Sequence, residues 1–133
     1  MSYASYRSLG KDPKTPPPES MADVPNITSE EHRRALISKY KVIVIDNYTD
    51  WCGPCKVVAP RFAQLAQEYL NRYKGIVYFA KDNVEDKHPG APTVRGVPCF
   101  HFYVFGNYVK ELTITGGNIE SVKKNLDKVL ESK

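Results

Sequence analysis

The apolar run Val42-Ile43-Val44-Ile45 leads within a few residues into Trp51-Cys52-Gly53-Pro54-Cys55-Lys56, and that junction constrains the chain more than any other stretch. The run reads as a buried strand. Beyond the cysteines, Val57, Val58, Phe62, Leu65, Ala66, Tyr69 and Leu70 recur at helical spacing, so the pair sits where a strand gives way to a helix. Cys52 falls at or just before the first turn, where unpaired backbone N–H groups and the positive end of the helix dipole favour an anion. The attacking species in thiol–disulfide exchange is a thiolate, and this placement lowers a thiol pKa toward neutral. The residues themselves therefore point to dithiol–disulfide exchange.

The string Asp46-Asn47-Tyr48-Thr49-Asp50-Trp51-Cys52-Gly53-Pro54-Cys55-Lys56 resembles the active-site segment of the thioredoxin family. Two further landmarks are similar: Val94-Arg95-Gly96-Val97-Pro98 resembles the family's loop ending in a cis-proline, and Gly116-Gly117 falls near its late glycine. The resemblance runs from about Val24 onward. It implies an α/β architecture, the thioredoxin fold, with a central mixed β-sheet flanked by helices on both faces. A domain over residues 23–133 is expected, preceded by a flexible arm over residues 1–22 that carries Pro16-Pro17-Pro18. Tyr3 and Tyr6 in the arm are read as part of a disordered terminus rather than a docking motif.

Composition narrows the class. At 133 residues the chain is of single-domain length and can bury a core without several disulfides. Three cysteines are too few, and odd in number, for a disulfide-stapled secreted scaffold. The net charge of +4 is mild, and Lys123, Lys124 and Lys128 alternate with Glu120, Asp127 and Glu131 as on a solvated helix face. No nucleic-acid site and no membrane span are expected. The first twenty residues lack the apolar stretch of a secretory signal, so a cytoplasmic, reducing location is expected.

The pattern around the cysteine junction predicts the other elements. Thr28-Ser29-Glu30-Glu31 reads as a capping box with Thr28 as N-cap, opening a helix to about Ser38 that buries Ala35, Leu36 and an arginine stem. The helix after the cysteines reaches about Tyr73, with Pro60 inside it, a proline the family also has. Ile76 to Ala80 reads as a parallel strand. His88-Pro89-Gly90-Ala91-Pro92 is turn chemistry where the family usually has a helix. Cys99–Phe105 and Tyr108–Ile114 read as a hairpin around Gly106-Asn107, and Asn118 caps a last helix buried through Ile119, Val122, Leu126, Val129 and Leu130.

The chemistry is assigned as follows. Cys52 is the nucleophile and Cys55, one turn on, resolves the mixed disulfide; together they form the redox-active disulfide. Pro54 pre-sets the helix start and Gly53 allows the tight turn. The resemblance places Asp46 beneath the disulfide with its pKa raised by burial, as carrier of the Cys55 proton, and Lys81 near that carboxylate. It also implies that Trp51, Gly53, Pro54, Val97 and cis-Pro98 contact substrate, with the Val97 backbone pairing an extended segment. No bound cofactor is expected, since the dithiol is the redox group. Implied partners are disulfide-containing proteins and a reductase or other dithiol donor, acting on a monomer.

Three departures from the family stand out: Tyr48 where a second Trp is common, Cys99 after the cis-proline where Thr is usual, and a lengthened last hairpin around Leu112-Thr113-Ile114-Thr115. Two competing readings remain. One is a zinc site from Cys52, Cys55, Cys99 and a histidine, although no second Cys-x-x-Cys or His-x3–5-His accompanies it, and His32, His88 and His101 read as structural. The other is a thioredoxin-fold binding module that holds a partner in the same groove.

Overall fold

The apolar run forms β1 (Val42–Tyr48), the central strand of the sheet in a computed structural model that describes residues 24–131. The arm over residues 1–22, with Tyr3 and Tyr6, lies outside the described residues. β1 pairs in parallel with β2 (Val77–Asn83) and antiparallel with β3 (Cys99–Val104), giving the mixed sheet expected. Two short strands, β4 (Asn107–Tyr108) and β5 (Ile114–Thr115), pair with the outer edge of β3 at its two ends.

Burial on both faces explains why β1 is continuously apolar rather than alternating. On one face Val42, Val44, Val77, Phe79, Phe100 and Phe102 pack against helix α2 (Gly53–Arg72) and helix α3 (Ile119–Leu130). On the other, Ile43, Ile45, Ala80 and Tyr103 meet Leu36 and Ile37 of helix α1 (Glu30–Lys39). Helices thus cover both faces. A tyrosine clamp joins α2 to α3, the Tyr69 hydroxyl donating to Asp127.

Several local expectations need correction. The N-cap of α1 is Ser29, not Thr28: its hydroxyl accepts the His32 N–H at 3.0 Å. The reciprocal bond comes from the His32 ring, which accepts the Thr28 N–H, while Glu31 stays exposed. Ala35 is also exposed; the fully buried residue of α1 is Arg33, guanidinium included. Val57 projects into solvent, since the α2 stripe begins at Val58. β2 continues three residues past Ala80 because Asp46, Asn47 and Tyr48 still offer it a partner. The hairpin turn is Phe105-Gly106, both at positive φ, one residue earlier than Gly106-Asn107. The run after it is no continuous strand: a 3-10 turn at Lys110–Leu112 separates β4 from β5. Residues 87–98, where a helix is usual in the family, form a loop.

Candidate active site

β1 delivers its C-terminal end to the N-terminus of α2, and the cysteines occupy that joint. Cys52 is the N-cap of α2, with Gly53 and Pro54 opening the first turn. Cys52 and Cys55 form a disulfide across one turn, their Cα atoms 5.3 Å apart. The Cys55 N–H points at Cys52 Sγ from 3.1 Å, so an otherwise unpaired helix-start donor faces the sulfur. In the reduced state that donor and the helix dipole stabilise a Cys52 thiolate. Both cysteines are nearly buried, whereas Trp51 before them and Val57 after them are each 70% exposed. A cavity of about 150 Å³, lined by Tyr48, Thr49, Asp50, Cys55, Lys56 and Ala59, opens beside the second cysteine.

Asp46 lies on the α2 face of β1, following the alternation of Val42 and Val44, and is fully buried. Neither carboxylate oxygen has a hydrogen-bond partner among the described residues. Burial therefore pushes its pKa up to about 8, against a smaller downward pull from Lys81. Lys81 is the registered partner of Asp46 on β2, its ammonium 5.7 Å from the Tyr48 ring centre. The Tyr48 hydroxyl accepts from the Asn26 side chain, fixing the ring that Lys81 covers. The Trp51 indole N–H donates to Glu85 at 3.3 Å. That contact and the Asn26–Tyr48 bond escaped the sequence reading, since neither spacing nor residue type marks them.

The Val97-Pro98 bond is cis. The Pro98 carbonyl accepts the Gly116 N–H at 2.8 Å. A Cβ on Gly117 would come within 3.2 Å of Val58 and 3.9 Å of Pro98, so glycine there allows the proline loop to close on the start of α2. Val97 makes no backbone–backbone hydrogen bond among the described residues. The structure therefore gathers Cys52, Cys55, Asp46, Lys81, Trp51, Gly53, Pro54, Val97 and Pro98 around the joint between β1 and α2.

Cys99 lies elsewhere. It is the free, buried cysteine of the described residues, on the opposite face of the sheet from Asp46, and burial pushes its thiol pKa up. Among the described residues, the ligand-bearing side chains that converge are Asp82, Asp86 and His88, none of the three cysteines among them. Asp82 there is already the partner of the Arg33 guanidinium.

A thioredoxin family model matches residues 23–128. The chain is 35% identical over 102 residues to thioredoxin-like protein 1 of Schizosaccharomyces pombe, covering 75% of this chain but only 33% of that protein. It is 34% identical over 107 residues to thioredoxin-3 of Dictyostelium discoideum, covering 80% of this chain and 97% of the relative. Among solved structures, oxidised mitochondrial thioredoxin 3 from Saccharomyces cerevisiae superposes with a TM-score of 0.69 at 29% identity, covering 81% of this chain and 97% of that one.

Proposed function

The chain belongs to the thioredoxin family, and from that premise we propose that it is a protein-disulfide reductase working through a reversible Cys52–Cys55 dithiol. The observation that carries the reading is the Cys52–Cys55 disulfide at the N-terminus of α2, joined to a strand that buries a carboxylate with no hydrogen-bond partner among the described residues. In the reduced protein the Cys52 thiolate attacks one sulfur of a substrate disulfide. A mixed disulfide forms, and the other substrate sulfur leaves as a thiolate that takes a proton from water. Cys55 then loses its proton and attacks Cys52 Sγ, which closes the intramolecular disulfide and expels the second substrate thiolate. Two electrons pass from the dithiol to the substrate.

Asp46 accepts the Cys55 proton in the second step. A carboxylate with a pKa of about 8 is matched to proton transfer from a thiol near neutral pH. Lys81 tempers the cost of ionising Asp46. Trp51 and Val57 offer apolar surface to a substrate chain, and the Val97 backbone pairs with it as an added strand. The partners on this reading are disulfide-bearing proteins and a reductase or dithiol donor that restores the thiols. The reducing, cytoplasmic location and monomeric state belong to the same proposal. A module that merely holds a partner would use the same groove, and one experiment separates the two.

Wild type should catalyse reduction of a protein disulfide by an added dithiol, Cys52→Ser should lose that activity entirely, and Cys55→Ser should accumulate substrate as a mixed disulfide on Cys52. Equal turnover by wild type and Cys52→Ser would remove the proposal. Adducts on Cys99 in place of Cys52 would overturn the assigned roles.

A further inference from the structure

The sheet face away from the disulfide carries a cleft of about 680 Å³, within the usual range for small-molecule sites. Its origin is local. β4 and β5 are two residues each, so the edge of β3 is covered by strand only toward its ends, and the 3-10 turn at Lys110–Leu112, held through Leu112 to the core and to Asn125, stands between them. The loop over residues 87–98 lies across that gap without a helix to fill it. The loop is pinned rather than loose. Gly90 donates its N–H to Glu30 at 3.1 Å, where a side chain on residue 90 would displace the Glu30 carboxylate, and His88 Nδ1 lies 3.1 Å from Asp82.

Strand pairing puts chemically related groups on this one face. Tyr103 is opposite Tyr108, their rings 5.7 Å apart, and Cys99 is opposite Thr115. These four line the cleft together with the cations Arg95 and Lys110, and no carboxylate lines it. The nearby Glu30 is engaged by Arg33, Arg34 and the Gly90 N–H. Arg33, paired with Asp82, donates to the Tyr103 hydroxyl at 3.5 Å. With its oxygen accepting from Arg33, the Tyr103 O–H is left to donate to something else. Two tyrosines, threonine hydroxyls and two exposed cations in one lining suit a flat apolar body bearing one negative group.

We propose that this cleft is a second binding site, for a small planar organic anion such as an aryl carboxylate, with Arg95 and Lys110 engaging the acid and Tyr103 and Tyr108 the ring. The site is independent of the disulfide chemistry. It lies on the opposite face of the sheet, and Cys99 contributes a surface to it, not a nucleophile.

The test is a titration of the oxidised full chain with naphthalene-2-carboxylate, followed by amide shifts in 1H–15N spectra. Saturable shifts are expected at Cys99, Tyr103, Thr113 and Thr115, with Trp51 and Cys55 unmoved. The neutral analogue 2-naphthalenemethanol should bind at least tenfold more weakly. So should the double variant R95E/K110E, whose two sites are exposed and whose fold the same spectra verify; Thr113→Glu is a second route to the same loss. Disulfide reductase activity should be unchanged in these variants. Absence of saturation at millimolar carboxylate overturns the proposal, as do shifts centred on Trp51 and Val57 or equal binding by the charge-reversed protein.

Discussion

Two buried aspartates on neighbouring strands meet opposite fates. Asp46 on β1 and Asp82 on β2 are each nearly sealed from solvent, at 0% and 3% exposure, but they point to opposite faces of the sheet. Asp82 faces α1, which supplies the buried Arg33 as an ion-pair partner, and His88 closes in from the loop. Burial still raises its pKa, while Arg33 and His88 pull it back down. Asp46 lies on the α2 face, finds no hydrogen-bond donor among the described residues, and rises to about 8. One face gives its buried charge an ion-pair partner and a fixed loop. The other leaves both carboxyl oxygens without a hydrogen-bond partner among the described residues. A cost of that kind is expected where chemistry requires it.

The largest effect should come from breaking the satisfied side. Arg33→Met strands Asp82 in a dry site, and a loss of about 3–5 kcal/mol is expected in urea unfolding near neutral pH. Disulfide reduction per folded molecule should change little, because the pair lies on the far face. A comparable loss of activity would mean that the two faces are coupled.

Relieving the unsatisfied side should act in the opposite direction. The folded protein holds the Asp46 proton to about pH 8, whereas the unfolded chain releases it near 3.8. The folded state binds more protons across that window, so stability falls as pH rises through it. The full cost stands above pH 8 and is on the order of 6 kcal/mol at ~1.4 kcal/mol per pH unit. Asp46→Asn should therefore stabilise the protein by about 2–4 kcal/mol at pH 9, part of the gain being lost to the buried amide. The difference should shrink as pH falls toward 4. Thermal unfolding across pH 4–9 reads this directly, and a destabilised Asp46→Asn at pH 9 would show that the carboxylate is satisfied after all.

The smallest effect belongs to Cys99. Its side chain is buried with Thr115 Oγ1 3.9 Å away, so Cys99→Thr keeps a partner for the new hydroxyl. Stability should move by less than about 1 kcal/mol and reductase activity not at all. In oxidised wild type the one remaining thiol should resist alkylation until the chain unfolds. Rapid native alkylation would expose it as a third redox sulfur.

The two faces also differ in how far they can be read from the chain. The disulfide side is written locally: an apolar strand, Cys-Gly-Pro-Cys and a helical stripe are contiguous, so strand, cap and nucleophile follow from spacing. The burial of Asp46 does not follow from spacing, since a carboxylate ending an apolar run is ordinarily solvated; only the resemblance implied it. The other face is assembled from distant segments. The helical pattern buries the aliphatic stem of Arg33 or Arg34, but the partner of the Arg33 guanidinium appears only when β2 runs past Ala80 and brings Asp82 beneath it. Thr28 and Ser29 are both competent caps, and the choice fell to Ser29 because the His32 ring completes the reciprocal bond. The broken edge strand was equally hidden, as Tyr108 to Ile114 has strand composition throughout but β3 offers it pairing only at the two ends.

The central claim is that the unsatisfied carboxylate takes the Cys55 proton, and single-turnover release of reduced substrate from the preformed Cys52 mixed disulfide tests it most directly. In wild type the release rate should rise with pH to a midpoint near that of Asp46, about 8. In Asp46→Asn it should fall by about tenfold to a hundredfold at pH 7, with formation of the mixed disulfide unchanged, and the two proteins should converge at high pH where Cys55 ionises unaided. Superimposable release profiles for the two proteins from pH 6 to 9 would contradict the account.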